Sequence, residues 1–341
     1  MIDVKSLLPD ELGVELQNLG EPRYRAKQLF SWLSRGVRSF DEMSDMPKAL
    51  RAKLSEVFTL NAPRILRRQD SSDGTVKLLW ELADGESVES VVMVYKHGVT
   101  VCVSTQVGCR MGCAFCASTL GGLRRNLTAG EILDQVIFSG IETGQRISNI
   151  VLMGIGEPLD NFDNVLQFLK LVSHGDGLNV GMRHISLSTC GLHENIDKLA
   201  HLGLQLTLSV SLHAPDDETR GKLMPVNAHG GVAALMDACR RYFDTTGRRI
   251  SFEYALVNGV NDTPEHASRL AHLLHGAPYH VNLILLNEVA ERGLKPSTSS
   301  RVKAFTDELD RRHVNYTFRR RLGLDIDAAC GQLRRQLTIN S

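Results

Sequence analysis

The sequence has no apolar run approaching the roughly 18 residues of a membrane-spanning helix, so a spanning segment is not expected. It has no net charge either. Lys+Arg and Asp+Glu both number 39, so no global field draws the chain to nucleic acid, and any attraction to phosphate must come from local clusters. Met1-Ile-Asp-Val-Lys-Ser6 lacks the apolar core of a signal peptide, and a cytoplasmic, thiol-reducing setting is the expectation. The seven cysteines are an odd number with no sign of secretion, which speaks against a disulfide framework. No second CxxC-like pair is present, so a structural zinc site lacks its usual ligands. There is no low-complexity tract.

What is present suits a folded enzyme. The chain has 341 residues, 43% of them hydrophobic, enough for one large or two ordinary domains. The first sixty or so residues read helical, at 10–16, 24–33 and 48–57, with Pro22 and Gly36 as punctuation. Arg23, Arg25, Lys27, Arg35 and Arg38 decorate this module, as a solvated surface or as an RNA-docking one. From Lys77 the period changes to two, giving strands at 77–82, 88–95 and 99–104 with turns at Asp84-Gly85 and His97-Gly98. In the third strand Cys102 points away from Val101 and Val103. Thr128-Ala-Gly-Glu131 is a capping box that opens a helix. Beyond it, strands near 149–153, 184–188, 205–211, 250–257 and 281–286 alternate with helices, and a short strand ends the run at 315–318. Repeated strand–helix units predict an α/β fold, a partial six-stranded (β/α)6 barrel that carries its ligands at the carboxyl ends of the strands. The loop 287–298 is expected to be mobile or to act as a lid.

The strongest motif is Cys109, Cys113 and Cys116, spaced CxxxCxxC. Three thiolates hold three irons of a four-iron cluster and leave the fourth iron open to a small molecule, which a closed four-cysteine site cannot offer. Gly108 and Gly112 allow a tight turn, and Phe115 can shield the cluster. At the predicted strand ends stand Gly154-Ile-Gly156-Glu157-Pro158, Ser188-Thr189-Cys190, Ser211-Leu212-His213 and Asn287. Each alone is an ordinary turn former; together they occupy the predicted ligand-facing rim. Cys330 lies among small residues, Ala328-Ala-Cys-Gly331, and reads either as a buried structural cysteine or as an accessible, reactive thiol. Cys190 and Cys239 read as structural. Pairs and runs of arginine, among them Arg64/Arg67/Arg68, Arg124/Arg125, Arg319 to Arg321 and Arg334/Arg335, are solvated faces or phosphate contacts.

The run Val99-Thr-Val-Cys-Val-Ser-Thr-Gln-Val-Gly-Cys-Arg-Met-Gly-Cys-Ala-Phe-Cys-Ala-Ser118, with Gly154-Ile-Gly-Glu-Pro158, Ser209-Val-Ser-Leu-His-Ala-Pro215 and Asp325-Ile-Asp-Ala-Ala-Cys-Gly-Gln-Leu333, resembles the radical S-adenosyl-L-methionine (SAM) adenosine methyltransferases of RNA, the RlmN/Cfr family. The likeness covers nearly the whole chain. It departs at Arg321-Leu-Gly-Leu324, where the family more often has a polar residue beside the glycine.

The resemblance implies a radical SAM barrel over 99–320, an N-terminal helical RNA-docking domain over 1–65, a β-hairpin extension over 66–98, and a C-terminal segment, 321–341, carrying a methyl-accepting cysteine. It implies one 4Fe-4S cluster on Cys109, Cys113 and Cys116 and two SAM molecules per turnover, bound by Gly156, Glu157, Ser188, Ser211, Leu212, His213 and Asn287. Cys330 would carry the methyl group, Cys102 would form a transient disulfide with it, and Glu89 would accept a proton. The implied activity is methylation of carbon 2 of an adenosine in 23S rRNA, and of the adenosine 3′ to the tRNA anticodon. Implied partners are a flavodoxin- or ferredoxin-like one-electron donor and thiol reductants, with the chain a monomer. Carbon-8 methylation of the same rRNA adenosine, a non-catalytic iron–sulfur RNA-binding protein and a radical SAM enzyme for a small molecule are the alternatives.

Overall fold

The computed structural model describes residues 1–96, 98–276 and 279–334. The N-terminal module consists of β1 (Ile2–Asp3), α1 (Pro9–Asn18), α2 (Arg25–Ser34), α3 (Lys48–Val57) and β2 (Phe58–Thr59), with β1 and β2 paired in parallel. Each helix buries a stripe at helical spacing: Leu12 and Leu16, then Leu29 and Leu33, then Leu50 and Leu54. Next come four antiparallel strands, β3 (Arg64–Asp70), β4 (Val76–Glu81), β5 (Ser87–Tyr95) and β6 (Gly98–Cys102). The period-two reading began at Lys77 and missed β3. This strand lies at the sheet edge, carries Arg64, Arg67 and Arg68, and buries none of its residues fully, so it shows no alternating apolar face. His97 of the expected His97-Gly98 turn lies outside the described residues, as do Arg335 and the rest of the C-terminal segment beyond Arg334.

A short antiparallel pair, β7 (Gln106–Gly108) with β8 (Leu123–Asn126), follows. The chain then alternates through α4 (Ala129–Thr143), β9 (Ile147–Leu152), α5 (Phe162–Ser173), β10 (Ile185–Thr189), α6 (His193–His201), β11 (Thr207–Ser211), α7 (Asp217–Leu223), α8 (Gly231–Thr246), β12 (Ser251–Leu256), α9 (Pro264–Leu273), β13 (His280–Leu285), α10 (Ser299–Arg311) and β14 (Tyr316–Phe318). The main sheet runs β14-β13-β12-β11-β10-β9-β6-β5-β4-β3, parallel from β6 through β14. Its first and last strands differ, so the sheet is open, as expected for a partial barrel. Val101, Ile150, Leu187, Leu208, Val210, Phe252 and Val281 are buried within it, in keeping with a parallel sheet covered on both faces.

The predicted capping box is present. The Thr128 hydroxyl accepts the Glu131 N–H at 3.1 Å, and the Glu131 carboxylate accepts the Thr128 N–H at 2.9 Å. The N-terminal segment is stitched to this helix start. Asp3 accepts the Thr128 hydroxyl at 3.0 Å, Ser6 accepts the Gly130 N–H at 2.9 Å, and Lys5 pairs with Asp134 at 2.7 Å with both side chains buried. Burial pushes the Asp134 carboxyl up to about 7 against the pull of Lys5. Removing one partner of a buried pair strands the other charge. Lys5→Met is therefore expected to cost about 3–5 kcal/mol in urea unfolding, more at pH 8 than at pH 6, because the abandoned Asp134 protonates at the lower pH. Lys5→Met with Asp134→Leu is expected to recover most of that loss. An unaltered midpoint in the single variant would show that the pair contributes nothing.

Candidate active site

β7 and β8 hold the two ends of the loop that carries Cys109, Cys113 and Cys116. Within it the Cys109 N–H donates to the Gly122 carbonyl at 3.1 Å, the Cys116 N–H to the Cys113 carbonyl at 3.2 Å, and the Ala114 N–H to the Leu223 carbonyl of α7 at 2.8 Å. All three cysteines line one cavity of about 160 Å³ at the carboxyl ends of the parallel strands. Among the described residues no three His, Cys, Asp or Glu side chains converge on a single-ion position. A four-iron cluster with one open iron asks instead for a thiolate on each of the other three, and the three cysteines around this cavity meet that demand. Burial pushes the Cys109 thiol up to about 12 and raises those of Cys113 and Cys116. Iron must therefore displace their protons on binding.

Opposite this loop the strand ends approach closely. A Cβ on Gly154 would lie 2.7 Å from the Val103 carbonyl, and one on Gly156 would meet Gln106 at 2.7 Å on a backbone with φ +107°. Only glycine fits at either place. Glu157 is buried and spans two strand ends, accepting the Leu159 N–H at 3.0 Å and the Cys190 N–H at 2.7 Å. Burial raises its pKa, and those hydrogen bonds oppose the rise. Ser188, Ser211, His213 and Asn287 line the same cavity. His213 sits at φ 56° with its ring edge-on to Phe115, 4.8 Å between centroids. Its Nδ1 accepts the Ala255 N–H at 2.9 Å, so the ring proton resides on Nε2. Asn287 donates to the Cys330 carbonyl at 3.1 Å, and its buried Oδ1 has no hydrogen-bond partner among the described residues, an acceptor open to a ligand's donor. Leu212 does not reach the cavity. Its side chain is fully buried in the core, and its backbone is engaged with Glu253 and Arg220.

Cys330 is exposed and rides on a strap, residues 323–334, that lines the cavity at Cys330 and Gly331. The strap is pinned where the Ala117 N–H meets the Gly331 carbonyl at 2.8 Å, the Ser118 hydroxyl meets the Leu333 carbonyl at 2.7 Å, and the Gly323 N–H meets Asp73 at 2.9 Å. Cys102, at the end of β6, is buried against Ala328 and Leu333 of the strap. It shares with Cys330 a second, smaller cavity of about 40 Å³. Cys330, Met153, Ile284, Asn287 and Arg319 line both cavities. Burial pushes the Cys102 thiol up to about 12, opposed by the Arg319 guanidinium. Glu89 lies on the same face of β5 as Val91, Met93 and Tyr95, which line the smaller cavity, but it is not itself in either lining. Its buried carboxylate accepts the Arg334 N–H at 2.8 Å and pairs with Lys77 at 3.6 Å.

Sequence reasoning missed several residues. Arg319 was grouped with Arg320 and Arg321 as a solvated face or a phosphate contact, yet it turns inward to Glu253 at 3.3 Å. Cys190, read as structural, lines the cavity beside the three loop cysteines, and Thr189, Glu253 and Met153 line it too. Their place at strand ends was the available signal. The loop 287–298 is anchored: Asn258 donates to the Lys295 carbonyl at 2.9 Å, and Arg292 to the Cys116 carbonyl at 3.2 Å.

An open parallel barrel with a three-cysteine loop facing a receptive strand rim defines a radical SAM enzyme, and the profile of the Radical SAM superfamily matches residues 103–271. Residues 3–60 match the Ribosomal RNA large subunit methyltransferase N-terminal domain. The probable dual-specificity RNA methyltransferase RlmN of Lachnoclostridium phytofermentans is 49% identical over 99% of this chain and 95% of its own length. That of Desulforamulus reducens is 51% identical over 98% of this chain and 96% of its own. The crystal structure of a radical SAM methyltransferase from Sphaerobacter thermophilus aligns with TM-score 0.93 and 42% identity, covering 98% of this chain and 99% of that one. The chain belongs to the RlmN family of radical SAM RNA methyltransferases. Membership implies a 4Fe-4S cluster and SAM, and the cysteine loop, the glycine approach and the open Asn287 acceptor fit them. Among the described residues no helix is long and apolar enough to cross a membrane.

Burial, with Arg220 nearby, lowers the His213 pKa to about 3, so the folded state keeps the ring neutral while the unfolded chain protonates it below about 6.5. The unfolded state then binds more protons, and stability falls as pH drops through that window. Between pH 7.5 and 5.5 this group alone is expected to remove about 1.4 kcal/mol. The check is anaerobic urea unfolding of the protein and of His213→Gln. Equal pH dependence in the two would refute the assignment.

Proposed function

We propose that the chain methylates carbon 2 of an adenosine in 23S rRNA at the peptidyl-transferase centre, and of the adenosine 3′ to the tRNA anticodon. The observation that carries this reading is the position of Cys330, which lines both the cavity of Cys109, Cys113 and Cys116 and the cavity of Cys102. A radical SAM enzyme acting on a small molecule has no need of two further thiols placed in that way. The relatives' name, dual-specificity RNA methyltransferase, supports RNA as the substrate class.

Carbon 2 of adenine lies between two ring nitrogens and is too electron-poor to attack an electrophilic methyl group, so a carbon radical must add there. A cluster on Cys109, Cys113 and Cys116 and a SAM on Gly156, Glu157, Ser188, Ser211, His213 and Asn287 would supply a carbon-centred radical able to abstract a hydrogen atom. The protein's own residues do the rest. Cys330 thiolate first takes a methyl group from a separate SAM by displacement, since thiolate is the strong nucleophile among side chains. Two SAM molecules are consumed per turnover. That radical would take one hydrogen atom from the methyl, leaving on Cys330 a methylene radical that adds to carbon 2. The adduct radical would return one electron to the oxidised cluster and give its ring proton to Glu89. Cys102 then attacks the Cys330 sulfur. The carbon–sulfur bond breaks, the freed carbon takes up a proton as methyl, and a Cys102–Cys330 disulfide remains for thiol reductants to open. Arg319, which lines both cavities, favours the Cys102 thiolate.

The adenosine must leave its stack to reach Cys330, so rRNA is met before the ribosome closes over the site. A flavodoxin- or ferredoxin-like donor supplies the electron, and the setting is the cytoplasm of the cell, with the chain acting as a monomer. Division into an RNA-docking module over 1–65, a β extension over 66–98, a barrel over 99–320 and a C-terminal segment from 321 completes the reading.

Cys330→Ala with full iron absorbance is expected to transfer no methyl group, and Cys102→Ala to accumulate RNA covalently joined to the protein, visible as a shifted band on a denaturing gel. Methylation by Cys330→Ala would overturn the covalent route. Mass spectrometry of rRNA and tRNA from a deletion strain is expected to show carbon 2 unmethylated. Loss confined to carbon 8 would replace the substrate atom proposed here.

A further inference from the structure

Arg220 of α7 is among the largest side chains the fold buries, with 2% of its surface exposed. Its donors reach the Cys190 carbonyl at 2.6 Å, the Ser211 carbonyl at 3.1 Å, the Leu212 carbonyl at 3.1 Å and the Asn227 Oδ1 at 2.8 Å. Every one of these acceptors is neutral. Among the described residues no carboxylate pairs with it. Asp217 is reached only through Asn227, whose Nδ2 donates to it at 2.9 Å. A guanidinium does not give up its proton under ordinary conditions, and a buried cation without an anion is expensive. A negative charge placed nearby would offset that cost.

The carbonyls that Arg220 grips belong to the ends of β10 and β11, where Ser188, Cys190 and Ser211 line the larger cavity. Cys190, whose carbonyl Arg220 holds, packs with Cys113 of the cysteine loop and with Leu223 of α7 in one buried group. That helix also accepts the Ala114 N–H of the cysteine loop at Leu223. One residue thus ties two strand ends together and places a positive charge, with no carboxylate partner among the described residues, at the strand ends that line the same cavity as the loop cysteines.

We propose that Arg220 is the counter-charge of the iron–sulfur cluster, a positioning residue whose fixed cation favours the reduced state. Reduction adds one electron, drawn from the one-electron donor, and hence one negative charge to the cluster. A nearby fixed cation stabilises that extra charge in a low-dielectric site. The inference rests on the cluster reading above. The bland alternative is a clasp that only holds carbonyls and has no bearing on the redox equilibrium.

The test is an anaerobic redox titration of the reconstituted full-length protein, without SAM or RNA, followed by electron paramagnetic resonance and normalised to iron content. Arg220→Gln is expected to keep its iron and lower the reduced-to-oxidised ratio at fixed potential by tenfold or more, about 59 mV for a one-electron couple. Arg220→Lys keeps the charge and is expected to stay within threefold of the natural protein. If Arg220→Gln loses iron, Arg220→Lys decides: iron and ratio retained support the charge, and iron lost from both variants overturns it in favour of the clasp. An unmoved ratio in iron-replete Arg220→Gln also overturns it. Natural protein that takes up no iron would sink the cluster reading and this inference together, whereas an iron-replete natural protein with an unmoved variant sinks this inference alone.

Discussion

A parallel sheet that stops short of closing leaves a rim of strand ends whose N–H and C=O groups have no neighbour in the ladder, and they cannot be buried unpaired. Much of the site follows from how this rim is satisfied. Asn161 donates to the Thr105 and Leu127 carbonyls, each at 2.8 Å. Gln135 holds both backbone groups of Ser104, at 2.8 and 2.9 Å. Asn261 bridges the His213 and Ala255 carbonyls at 2.6 and 2.7 Å. Glu157 and Arg220 complete the set with opposite charges. These buried polar side chains fix the loops that a ligand must meet, and they leave Asn287 Oδ1 as an acceptor still open.

The strap is the second device. Its hydrogen bonds run to the cysteine loop at Ala117 and Ser118, to Asn287, and to Asp73 on the far side of the antiparallel extension. A chain segment more than two hundred residues downstream of the loop thereby sets Cys330 between two cavities. The antiparallel strands have a purpose in this arrangement: β5 and β6 pair Val91 with Cys102, which builds the wall of the smaller cavity that the strap covers.

The three N-terminal helices, the capping box on α4 and the alternation of strands and helices were legible because each rests on local periodicity or on a side chain reaching its own backbone. The edge strand β3 and the short α7 were not. One shows no buried alternating face, and the other is too brief to repeat a pattern. The rim residues Ser188, Ser211, His213 and Asn287 were legible as the last polar positions of apolar strands, yet Leu212 among them faces the core. Strand ends curl, so position in sequence does not decide direction. Arg319 and Arg220 were beyond reach because an inward arginine and a solvated one look alike in a list of residues.

By itself the sequence determined the order of the main strands and helices, the cysteine loop and the kinship with RNA methyltransferases, since spacing and local pattern are written along the chain. Only the tertiary structure decided that Cys102 and Cys330 share a cavity, that Glu89 grips the strap beside it, and that Arg220 is buried without a carboxylate. These facts depend on which distant segments pack together, and on which charges water can no longer screen.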